Sequence, residues 1–211
     1  MRSILVYADR SPSMDARLET GLSLARTNGG HVTVLVDTPI SRYVAMDPMG
    51  MSYVASEAMK EALADDEAHG KAIEEQLASQ DVPFDVVHSE SDPLDALAAA
   101  SRLADVVILS RSSALAGELA LSVHTPVLVL PDKIELMLPL SCACIAWDGG
   151  NESATALRSA APSAVSASRP VVSRSKKSFF GIVDTNRHDR PGRPLIRMFP
   201  RITPRMARIS N

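Results

Sequence analysis

A chain of 211 residues can hold one large domain, or one ordinary domain and part of another. Its apolar share is 45% but its aromatic share only 4%, so a core has to come from Ala, Val, Leu, Ile and Met, which favours helices packed on a buried sheet. The formal net charge of −3 hides a division: residues 163–211 hold nine Arg and two Lys against two Asp, a net +9, and residues 1–162 hold the other 11 basic and 23 acidic side chains, a net −12. The first apolar run is about five residues, too short for a secretory h-region, and nothing approaches the roughly 18 uncharged residues that span a bilayer. A cytoplasmic protein is expected, and Cys142 and Cys144 supply no disulfide framework.

SILVYA at 3–8, closed by Asp9, Ser11 and Pro12, predicts a buried strand followed by a helix cap. The helix is expected from about Ser13 to Thr27, with Met14, Leu18, Leu22 and Ala25 on one stripe and Asn28-Gly29-Gly30 as its stop. VTVLV at 32–36 is the next strand, and residues 39–52, with Pro39, Pro48 and Gly50, predict a loop. A long helix follows from Tyr53 to Ala78, then a strand, FDVVH, at 84–88. Asp92-Pro93 opens a helix to Leu103, Pro93 suiting the first turn. DVVILS at 105–110 and PVLVLP at 126–131 are uninterrupted apolar strands, with a short helix at 115–121 between them. Continuous apolar strands alternating with helices predict parallel βαβ units covered on both faces. The expected domain is α/β, a doubly wound open parallel sheet of five strands over residues 1–132.

Residues 133–141 read as a linker. CACIAWDGG then repeats the strand-and-turn opening, with a matching helix over 151–161 that Pro162 ends. Beyond it, residues 163–211 carry five prolines, many Arg and Ser, and no sustained period, so disorder is the expectation. The abrupt change after 162 is what translation in a shifted reading frame produces, and a genuine basic tail is the other reading.

ILVYADRSPSMDARLETGLSLA, VTVLVDTP, SDPLDALAAASRLADVVILSRS and PVLVLP together resemble the universal stress protein family over residues 1–132. CACIAWDGGNESATALRSAAP resembles the opening of a second such domain, as in tandem members, here truncated. The resemblance implies an adenine nucleotide alpha hydrolase-like fold, with ATP at the carboxyl ends of the strands in the nucleotide-binding members. In those members an aspartate after strand one and the end of strand two meet the adenosine, and a G-x-x-G loop, with Gly-Ser/Thr about nine residues later, wraps the phosphates. Asp9 and Val36 match the first two features. Leu109 and Ser112 stand at the two glycine positions around Ser110 and Arg111, so the loop departs from the pattern. Glycine there lets the backbone approach phosphate oxygens, and Leu109 is expected to put a side chain in that space.

The resulting expectation is a stress-response binding or regulatory module with a degenerate adenine-nucleotide pocket and no catalysis. Asp9, Val36, Ser110, Arg111 and Ser112 are the pocket candidates, and ATP is the only cofactor the resemblance admits. An ATP-binding stress protein with weak nucleotide hydrolysis is one alternative, although Ser110, Ser112 and Ser113 lack a G-x-S-x-G elbow. The other alternative is nucleic-acid or anionic-membrane binding through the +9 tail, aided by Phe179, Phe180 and Phe199. No histidine or cysteine spacing points to a metal. Met46, Met49 and Met51 with Tyr43 and Tyr53 read as a mobile loop, and Asp65, Asp66 and Glu67 as a solvated helix face. The edge strand at 126–131, left without an intact second domain, predicts a homodimer or poor solubility.

Overall fold

The computed structural model describes residues 2–38, 53–132, 136, 138, 142–147, 154–158, 160, 169–174, 180–182 and 196–199. Five strands, β1 (Ser3–Tyr7), β2 (His31–Asp37), β3 (Phe84–Ser89), β4 (Val106–Ser110) and β5 (Val127–Leu130), form a parallel sheet in the order β3-β2-β1-β4-β5. Between them run α1 (Met14–Asn28), α2 (Tyr53–Ala78), α3 (Pro93–Ser101) and α4 (Leu115–Ser122). The period of two along the strands explains the two layers of helices. Ile4 and Val6 on β1 and Ala8 just after it, with Val34 and Ile108, pack against Leu18 and Leu22 of α1 and Leu77 of α2. Leu5 and Tyr7, with Val107 and Leu109, face Leu97 of α3 and Leu119 of α4.

Local chemistry sets the ends of the elements. Gly29 closes α1 in the left-handed conformation at φ 60°, and the Gly30 N–H bonds the Ala25 carbonyl at 2.8 Å. A Cβ at Gly30 would run into the Arg2 carbonyl, to which the His31 N–H donates at 2.6 Å as β2 begins. Asp92 caps α3 by accepting from the Leu94 N–H at 3.1 Å, with Pro93 in the first turn. The expected end of this helix at Leu103 is two residues too late. The N–H groups of Arg102, Leu103 and Ala104 reach back only three residues, a tightened turn that leads the chain into β4.

Asp105, just before β4, fastens the start of β1: its Oδ2 accepts from the backbone N–H groups of Arg2 at 2.6 Å and Ser3 at 3.1 Å. These bonds, Arg2 first, hold its carboxyl below the usual carboxylate range. A depressed folded-state value means that the contribution is complete above the ordinary Asp pKa and fades as pH falls through the folded value. Because Asp105 is exposed, Asp105→Asn is expected to cost about 1 kcal/mol near neutral pH. Urea unfolding should show this deficit shrinking below about pH 4; a deficit unchanged down to pH 2 would contradict the account.

Beyond β5, the chain adds strands to the same sheet. β6 (Cys142–Trp147), β7 (Arg169–Arg174), β8 (Phe180–Ile182) and β9 (Ile196–Phe199) extend it to nine strands in the order β3-β2-β1-β4-β5-β9-β8-β6-β7. Three of these lie in the stretch whose composition predicts disorder. They lack the apolar periodicity of a self-sufficient core, but strand addition rests on backbone N–H and C=O groups that every residue except proline carries, and Pro170 in β7 is the one proline among these strands. The edge of β5, expected to be uncovered, is paired antiparallel with β9 of the same chain, Leu128 opposite Met198. The stretch read as a linker also docks: Leu136 is buried, and its N–H donates to Thr20 Oγ1 of α1 at 2.9 Å. Ala156 and Ala160, from the expected second-copy helix, join the α1 and α2 side of the core. The loop at 39–52, Asp148, and the side chains of Tyr53, Cys142 and Cys144 lie outside the described residues.

Candidate functional site

The strand order reverses between β1 and β4, so the crevice outside their carboxyl ends is where an open α/β sheet receives a ligand. β1 ends at Tyr7, and the chain turns through Asp9 into α1. Asp9 Oδ1 accepts from the Ser11 N–H at 3.1 Å and the Ser11 hydroxyl at 2.6 Å, an Asx-type turn that holds the carboxylate in place.

Arg17, in the first turns of α1, points back beneath this turn and is fully buried. Its Nη2 pairs with Asp9 Oδ1, and its Nη1 donates to the hydroxyls of Ser110 and, at 3.3 Å, Ser11. Its Nε donates to the Tyr7 carbonyl at 3.2 Å. One guanidinium therefore ties the end of β1, the following turn and the end of β4. Arg17 is absent from the residues expected at the site, although position 17 is three after Met14 and falls on the apolar stripe of α1. A cation on that stripe is the signal that could have found it.

The expected site residues divide into three environments. Asp9 and Ser110 meet through Arg17, and Ser110 is buried with its hydroxyl turned inward. Val36 lies in the core on the α1 and α2 side. Arg111 and Ser112 are exposed in the turn after β4, where the Arg111 N–H bonds the Leu130 carbonyl at 2.7 Å. Leu109 does not obstruct this turn as expected. It is fully buried against α3 and α4, because alternation along β4 sends it to that face.

What meets Ser112 instead is Asp132, just past β5. Its Oδ1 accepts from the Ser112 hydroxyl at 2.7 Å, the Ser112 N–H at 3.4 Å and the Ser13 hydroxyl at 3.4 Å. The Ser112 hydroxyl bond, more than any other contact, holds the Asp132 carboxyl below the usual range, with smaller help from Ser13 and the Arg111 charge.

On the other side of Asp9 a cavity of about 500 Å³ opens between the ends of β1 and β2, α2 and the start of α3. Asp9, Asp37, Glu61, Asp65 and Asp66 line it, and among the described lining residues Arg10 is the only basic one. Arg10 is already engaged, 2.6 Å from Asp66 and 3.5 Å from Asp65. Asp66 also accepts from the Thr38 hydroxyl at 2.7 Å. The expected solvated face is thus corrected in part: Asp66 turns toward the sheet, its side chain only 15% exposed, because Arg10 and Thr38 draw it there. Among the described residues no group of three or more His, Cys, Asp or Glu is placed to hold a metal ion.

A doubly wound parallel sheet, with an aspartate in the turn after its first strand and a cavity beside that turn, is the architecture of an open α/β domain. The chain belongs to the universal stress protein family, whose model matches residues 1–131. Among solved structures, hypothetical protein MJ0577 superposes with a TM-score of 0.54 at 13% identity, over 63% of this chain and 96% of that one. A universal stress protein from Archaeoglobus fulgidus superposes with a TM-score of 0.60 at 14% identity, over 82% of this chain and 65% of that one. At these identities the likeness establishes the fold. No curated protein matches the chain. No helix of the described residues is long and apolar enough to cross a membrane.

Proposed function

We propose that this protein is a stress-response binding or regulatory module whose crevice admits a small ligand but does not retain ATP, and that it is not a catalyst. The observation that carries this reading is the charge of the cavity wall. Its volume, about 500 Å³, is within the ordinary range for a small-molecule site. Among the described lining residues, five carboxylates against one guanidinium, itself paired to two of them, create a negative field in a concave wall where field lines concentrate. A polyphosphate entering there meets repulsion, with no basic side chain left unpaired among the described lining residues. The Asp9 carboxylate, expected to meet the adenosine, is held by Ser11 and Arg17, which supports the same reading.

Isothermal titration of the full chain with ATP tests it. The expected result is a Kd weaker than about 100 μM, and no phosphate release above that of a protein-free control. Tighter binding would overturn the degenerate-pocket reading. Phosphate release above that control would revive the hydrolase.

A further inference from the structure

Asp132 Oδ1 gathers the Ser112 N–H, the Ser112 hydroxyl and the Ser13 hydroxyl beside the turn after β4. We propose that its carboxylate is a built-in occupant of an anion-binding corner, and that displacing it opens that corner to a phosphorylated ligand. The proposal rests on the reading that the unaltered chain does not retain ATP, and it names a regulatory contact at the same site.

Three observations converge on this role. The first is the donor set. One backbone N–H and two hydroxyls converge on a single carboxylate oxygen, and a phosphate oxygen accepts from the same kinds of group. The second is the behaviour of Ser13, which stands at the N-cap of α1 and is buried, yet makes no side-chain cap bond to the helix. Its hydroxyl donates to Asp132 instead. An N-cap serine ordinarily accepts from the first turn with an extended backbone, whereas Ser13, at φ −95° and ψ 0°, leaves its hydroxyl to Asp132. The third is the fixed placement of both sides. The Arg111 N–H to Leu130 carbonyl bond locks the β4 turn beside the end of β5, while the buried Leu130 and Pro131 anchor the exposed Asp132. An internal carboxylate so tethered competes at an effective concentration on the order of millimolar or above. A free phosphate compound has to displace it and meets its charge as well.

The corner differs from the acid-lined cavity on the other side of Asp9. Removing one carboxylate there would leave four, whereas removing Asp132 frees all three donors while Arg111 supplies the nearby positive charge.

The test compares the full chain with Asp132→Ala by isothermal titration against inorganic tripolyphosphate and, separately, ATP. Asp132→Ala is expected to gain about tenfold or more in affinity for tripolyphosphate. Adding Ser112→Ala should abolish the gain. Asp105→Asn, which removes the same charge at the opposite end of β4, should not produce it. No gain in Asp132→Ala overturns the proposal and leaves the function reading intact, since the unaltered chain is still silent. A gain that survives Ser112→Ala, or that Asp105→Asn matches, assigns the effect to net charge and also overturns it. Tight ATP binding by the unaltered chain removes the function reading and this proposal together. Asp132→Ser repeats the test if the alanine variant does not fold, and a folded serine variant with no gain likewise overturns the proposal.

Discussion

Asp9→Ala is expected to lower folding stability by about 3 kcal/mol, although Asp9 resembles a ligand-binding residue more than a structural one. The cost comes from Arg17. Its side chain is only 1% exposed, and Asp9 is its sole carboxylate partner among the described ion pairs. Without Asp9 a guanidinium stays buried with Ser11, Ser110 and the Tyr7 carbonyl, all neutral, around it. Asp9 itself is 28% exposed, so solvent offsets part of the loss, and a figure near the lower end of the range for broken buried pairs is appropriate. Asp9→Ala with Arg17→Met should recover much of the stability, because the orphaned charge is removed and the volume filled. Urea unfolding of the three proteins checks this, and a loss below about 1 kcal/mol for Asp9→Ala would show that Arg17 does not depend on the pair. A corollary concerns function. Lost ligand binding in Asp9→Ala would not by itself identify Asp9 as a contact, so such a variant must be assayed below its unfolding transition.

The parts of the fold legible in the sequence are those dictated by short-range pattern. β1, β4 and β5 are buried on both faces and read as continuous apolar runs, and Asp92-Pro93 and Gly29-Gly30 mark helix ends through local backbone chemistry. The family resemblance rests on the same segments. Less legible is where each polar group uses its hydrogen bonds. Asp132 and Ser13 are 119 positions apart, and Arg17 and Ser110 are 93 apart, so no local rule links them. The residue type at 109 also misleads about the turn after β4. Leu109 breaks the glycine pattern by type, but its position on β4 sends its side chain to the other face, and the group that meets Ser112 is Asp132, just past β5. The strands at 169–174 and 196–199 are illegible for a different reason: they are defined by a partner edge and not by their own periodicity.

That partner edge gives the second large effect. A chain stopped after Asp132 loses β9, and with it the backbone pairing along Val127–Val129. It also loses Leu136, Ala156 and Ala160 from the α1 and α2 side of the core. The exposed edge would be short but apolar on both faces, since every residue of β5 is buried, and it carries no charged residue to deter a second strand. Two such edges can pair about a two-fold axis, each completing the other. Residues 1–132 are therefore expected to associate or to precipitate more readily than the full chain. Sedimentation velocity between about 5 and 200 μM, spanning the micromolar affinities of modest interfaces, separates the cases. A monomeric, soluble fragment would mean that the edge of β5 is not an association surface and that β9 is not needed to protect it. Dimerisation of the full chain itself would place the subunit contact on a surface other than this edge, because β9 already occupies the edge within one chain.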